Sequence, residues 1–171
     1  VGIDVTAGDL IIDKITAGLA NSVTLDATGA ILAGTPPTGP PLVTALTLDM
    51  AAGTGIGTAT DPITAQISEL YAEVTGTGSI YLELDELVSG NGVNLNTVTT
   101  NDGDIDITVN ATARAIGVEA EGDVSITTNS LVRHDLYIGL VKGYDVYLTA
   151  NSGSIIGLDG YDLNISAQNL Y

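Results

Sequence analysis

Four aspartates are the residues of this chain best placed to do chemistry, because they recur at one place in a repeated pattern. The pattern reads Gly103-Asp-Ile-Asp-Ile-Thr-Val-Asn-Ala, Gly122-Asp-Val-Ser-Ile-Thr-Thr-Asn-Ser, Tyr144-Asp-Val-Tyr-Leu-Thr-Ala-Asn-Ser and Tyr161-Asp-Leu-Asn-Ile-Ser-Ala-Gln-Asn, with starts 19, 22 and 17 residues apart. Stacked on successive coils, Asp104, Asp123, Asp145 and Asp162 would stand about 5 Å apart and repel one another unless a cation such as Ca²⁺ lay between them. The competing role is structural, each Asp accepting a backbone N–H at a corner. The loop Asn101-Asp-Gly-Asp-Ile-Asp106 begins like a calcium loop but lacks the remaining spaced ligands and closing Glu of an EF-hand. The calcium-binding Gly-Gly-x-Gly-x-Asp nonapeptide does not occur either. Ca²⁺ is the one cofactor left open.

Other side chains recur with the same register. Asn110, Asn129, Asn151 and Gln168 end the pattern, where stacked amides form ladders or fix a tight corner. Tyr144 and Tyr161 share its first place, with Tyr137, Tyr147 and Tyr171 nearby. Such tyrosines either bind sugar rings or cover the neighbouring rung. His134 is the only histidine, set in Arg133-His134-Asp135, and there is no cysteine, so a transition-metal centre is unsupported. No Gly-x-Ser-x-Gly elbow surrounds a serine. Sequons at Asn110-Ala-Thr112 and Asn164-Ile-Ser166 carry no weight without a glycosylating pathway.

These residues need elements that hold them in line. In each copy the aliphatics stand two apart, the period of a strand with one face buried. Weaker copies begin at Gly8-Asp-Leu-Ile-Ile, Asn21-Ser-Val-Thr-Leu, Thr44-Ala-Leu-Thr-Leu and Gly78-Ser-Ile-Tyr-Leu-Glu-Leu. No apolar 3.6-residue period persists for three turns, so helix is not expected. A constant strand motif with variable spacing fits a solenoid, whose insertions go to corner loops. The predicted fold is all-β, a right-handed parallel β-helix (β-solenoid) of seven or eight irregular rungs spanning residues 1–171, with an antiparallel β-sandwich as the alternative. Residues 1–90 supply irregular rungs with a Pro-rich excursion over 35–41, and residues 91–171 regular ones. Ile105, Val124, Val146 and Leu163 are expected in one inward column, and Ile107, Ile126, Leu148 and Ile165 in the next.

Composition narrows the function. Of 171 residues 44% are hydrophobic, enough for a real core, yet Phe, Trp and Cys are absent, so that core stacks small branched side chains. Twenty-one acidic residues against 4 basic ones give a net charge of −17, which repels phosphate backbones and excludes nucleic acid as a partner. No apolar run approaches the roughly 20 residues of a membrane span, so membrane insertion is not expected. With Val1 in place of an initiating Met and no signal peptide, the chain is expected to be a processed product or a piece of something longer.

The Gly-Asp-Val-Ser-Ile-Thr and Tyr-Asp-Val-Tyr-Leu-Thr phrases, followed by Asn151-Ser-Gly-Ser-Ile-Ile-Gly157, resemble the repeats of filamentous-haemagglutinin-type adhesins and related giant β-helical exoproteins. The resemblance covers residues 90–171 well and the rest loosely. It implies a right-handed parallel β-helix, export, and a place in a fibre at the cell surface or outside the cell. The expected function is therefore a rigid non-catalytic rod, a structural part of an extracellular filament or stalk. Both chain ends keep strand alternation, so head-to-tail partners are expected, as neighbouring repeats or as copies in a homopolymer. A carbohydrate-binding adhesin segment, engaging a glycan or cell surface, is the alternative. A β-helical polysaccharide lyase or hydrolase is a further one, but such enzymes need paired carboxylates beside a basic residue, and here the four basic residues are scattered.

Overall fold

Aliphatic and polar residues alternate through the longer strands, and a pleated strand sends them to opposite sides. Ile105, Ile107 and Val109 are buried while Asp106 between them is exposed. The same pattern repeats along the computed structural model, which describes residues 1–34, 39, 41–129, 132–158 and 163–171. Among the described residues there are twenty strands, all paired in parallel, and no α-helix. The chain is a β-solenoid, and its wholly parallel pairing removes the antiparallel sandwich.

Each coil crosses three faces. One carries Gly2–Val5 and, later, Val118–Ala120 and Val141–Lys142. The second carries Leu10–Ile12, Ala30–Ala33, Ile80–Glu86, Ile105–Val109, Val124–Thr128 and Asp145–Ala150. Ala113–Ala115, Leu136–Ile138 and Ile155–Gly157 lie on the third. Longer strands such as Ile15–Ala27 and Val43–Ala52 bend across corners, with register shifts where they do so in the first case.

The core is a set of columns running along the coil axis. On the second face Leu10, Ile31, Ile56, Ile80, Ile105, Val124, Val146 and Leu170 stack in register, at intervals of 19 to 25 residues. On the first, Ile3, Leu25, Met50, Ala72, Val98, Val118, Val141 and Ile165 do the same. Eight members make seven full coils, about 34 Å at the spacing of hydrogen-bonded strands. Coils before residue 90 stack as continuously as those after it.

Two expectations need correction. Leu163 is 45% exposed and Ile165 pairs with Val141, so neither extends the columns of Val146 and Leu148. Leu170 continues Val146, because the last second-face strand is Asn169–Leu170. Alternation marks strands on every face alike, and only the corner lengths decide which face a strand reaches. For the same reason Asn21-Ser-Val23 and Thr44-Ala-Leu-Thr-Leu48 belong to another face, where Val23 pairs with Leu48, and Leu46 points outward. Of the Pro-rich excursion, residues 35–38 and 40 lie outside the described residues.

Glycines set the corner that leads into the second face. The N–H of Gly29 donates to Gly8 O (2.8 Å) and that of Gly122 to Gly103 O (3.1 Å). A Cβ added at Gly103 would collide with the carbonyl of Gly78, and one at Gly78 with that of Thr54. Backbone passes so close to backbone here that only glycine fits.

Candidate functional site

The second face brings most of the predicted site residues to its outer surface. At its leading corner each Asp reaches the next coil. Asp9 Oδ1 accepts the N–H of Ala30 (2.8 Å), Asp104 Oδ1 that of Asp123 (2.9 Å), and Asp123 Oδ1 that of Asp145 (3.1 Å). Asp145 Oδ1 accepts from Asn169 Nδ2 (2.7 Å), and Ser79 Oγ takes the same part toward the N–H of Asp104 (3.0 Å). The carboxylates are thus in column, Asp9, Asp104 and Asp123 each holding the backbone of the following coil, and Asp145 a side-chain amide of it, by a charge-assisted hydrogen bond. Asp162 lies outside the described residues. Among the described residues no three His, Cys, Asp or Glu side chains converge as a metal-holding group.

At the far end of the face the amides are less regular. Asn151 Nδ2 donates to Asn129 Oδ1 (3.3 Å), a two-member ladder, while Asn110 Nδ2 turns to Glu83 Oε1 (3.2 Å). Gln168 is not part of it. Its backbone N–H donates to Tyr144 O, on the corner before the face, which follows from the register of Asn169 with Asp145.

The tyrosines separate into three places. Tyr147 and Tyr171 stack with ring centroids 4.8 Å apart and planes 8° apart. Tyr137 stands on the third face beneath the Arg114 guanidinium, 5.6 Å from its ring centroid. Tyr144 is exposed at a corner, and Tyr161 lies outside the described residues. Burial pushes the Tyr147 hydroxyl up from its ordinary value, with the Asp145 charge next in effect. Tyr81 belongs to this surface too, since register carries Tyr81 to Asp106, Ser125 and Tyr147 in turn. The motif at Gly78-Ser-Ile-Tyr81 holds the signal for it, a Tyr at the place Tyr147 occupies in its own copy.

His134 sits at the corner before the third face. Asp135 turns to Arg133 (3.2 Å) and to the N–H of Ser154 (2.8 Å), and the Ser154 hydrogen bond, ahead of the nearby guanidinium, lowers its pKa. Thr128 Oγ1 donates to the His134 carbonyl (3.3 Å).

The first face is acidic on the outside. Asp4, Asp26 and Glu73 share one outward column with Glu119, and Asp49 lies beside Asp26 on the adjacent strand. Burial first, and the Asp26 charge second, raise the pKa of Asp49. The two ion pairs found among the described residues, Arg133–Asp135 and Lys142–Glu121 (3.9 Å), leave this field largely unbalanced. Among the described residues no helix is long and apolar enough to cross a membrane.

No family model, no curated protein and no solved structure matches this chain.

Proposed function

We propose that this chain is a rigid, non-catalytic segment of an extracellular or cell-surface filament. The observation that carries the reading is the pair of eight-member apolar columns. They run without a break through seven coils, from Ile3 and Leu10 to Ile165 and Leu170. Nearly every strand N–H and C=O bonds along the axis, which supplies stiffness and protease resistance. The acidic faces keep neighbouring rods apart at low salt. The resemblance to haemagglutinin-type repeats supports export.

Immunogold labelling of intact cells of the source organism with antibody against the chain tests this. Label along surface or released fibres is expected. Label only after lysis sinks the proposal.

A further inference from the structure

The outward column of the second face is interrupted in a way that makes a cleft. Tyr81 and Tyr147 are three coils apart, about 14 Å at the strand spacing, and between them stand only Asp106 and Ser125. Two surface cavities of about 250 Å³ each meet there, sharing Tyr81 and Asp106. One lies under the turn Thr58–Asp61. That turn is closed on itself by the N–H of Thr58 on Asp61 O (3.0 Å) and the N–H of Asp61 on Thr58 O (3.2 Å). The other cavity extends past Asp104 and Asp123 to Tyr147.

Tyr171 covers one face of the Tyr147 ring, so the other turns toward Ser125 and the cleft. A flat aromatic wall, a short floor and acceptors on both sides suit a ligand that has an apolar ring face and hydroxyl donors on its edge. Carboxylates at Asp104, Asp106 and Asp123 repel an anion. The strand ladder and the closed turn hold the walls in place before any ligand arrives, which lowers the ordering cost of binding.

We propose that this cleft binds an uncharged glycan, one sugar ring stacking on the free face of Tyr147 while Asp106 and Asp123 accept hydrogen bonds from its hydroxyls. The site is independent of whether the coil stack is extended into a fibre. A cationic peptide would also meet aromatic and acidic groups, and it is the outcome to be distinguished.

The chain has no Trp, so its intrinsic fluorescence comes from seven tyrosines, and the part that the ligand changes is assigned to the walls by its loss in Tyr81→Ala and Tyr147→Ala. Titrations would use cellohexaose, maltohexaose and mannohexaose, with trigalacturonate and hexalysine as the anionic and cationic comparisons. Saturable binding of at least one neutral hexasaccharide is expected. Tyr81→Ala and Tyr147→Ala should each weaken it at least tenfold, and Tyr144→Ala, outside the cleft, should leave it unchanged. Ser125→Tyr, which fills the gap with a further ring and suits an outward strand position, should abolish binding without lowering the thermal midpoint. Absence of binding to all three neutral probes overturns the proposal. So does wild-type affinity in Tyr147→Ala, or preference for hexalysine or trigalacturonate over the neutral probes.

Discussion

Replacing Ile107 by alanine tests whether the core is a set of columns held in register by the backbone. Ile107 is fully buried between Leu82 on one coil and Ile126 on the other. The change removes three carbons, about 2.4 kcal/mol of transfer free energy at roughly 0.8 per methylene. A cavity is left as well, and the strand ladder holds Leu82 and Ile126 at their spacing, so little collapse is open to them. Roughly 80 Å³ of void at about 24 cal/mol per Å³ adds up to about 2 kcal/mol. The total, about 4 kcal/mol, corresponds to a drop of about 8 to 16 °C in thermal midpoint for a chain of this length. Urea unfolding should be followed by circular dichroism and by tyrosine fluorescence together, because stacked repeats can unfold piecemeal. Thr108→Ala, one residue on but facing outward, should stay within about 0.5 kcal/mol. A loss below about 1 kcal/mol at Ile107, or an equal loss at Thr108, refutes the columnar core.

Gly103→Ala should cost more than an exposed glycine replacement does, at least about 3 kcal/mol by urea unfolding, since its Cβ would meet the Gly78 carbonyl across the coil gap; a neutral effect would show that the corner has room. Asp123→Ala should lower stability by about 1 kcal/mol at neutral pH, because the Asp145 N–H loses its acceptor, while Asp123→Asn restores most of it through the amide oxygen; equal loss in both variants would mean that charge and not the hydrogen bond matters. Asp49 is held above its ordinary pKa in the folded chain, so its contribution to stability falls as pH rises from 3.8 through the raised folded value and recovers on acidification. Asp49→Asn should accordingly raise the thermal midpoint at pH 7 and shrink the gain seen on lowering the pH toward 4, and an unchanged pH profile would reject the assignment.

The second-face columns of the second half were legible because two signals coincide there. Alternation gives the strand, and the Gly-Asp or Tyr-Asp marker before it gives the corner, so Ile105, Val124 and Val146 align from sequence alone. At Tyr161 the marker misleads, since the strand that follows it, Ile165–Ser166, pairs with Val141 on the first face. In the copy that begins at Gly78 the marker is altered, Ser79 standing where Asp104 stands, yet aligning that copy on Gly103 already places Tyr81 opposite Asp106, as the register does. What the sequence could not supply was corner length in space, because a loop of a few extra residues costs little and leaves no period behind.

Inward and outward positions of such a coil stack obey different rules, and this bears on where function sits. An inward residue is packed above, below and across the core, so its column must stay aliphatic and of similar volume. Outward residues touch chiefly the residues one coil away, about 4.8 Å along the axis, and a substitution there costs little. A continuous outward ladder such as Thr108, Thr127 and Thr149 is a smooth wall. A large residue followed by small ones and then a large one makes a cleft whose walls are as rigid as the core beneath, and the run Tyr81, Asp106, Ser125, Tyr147 has that form. Binding specificity can therefore be written into the outward columns of this fold without disturbing the stack that carries it.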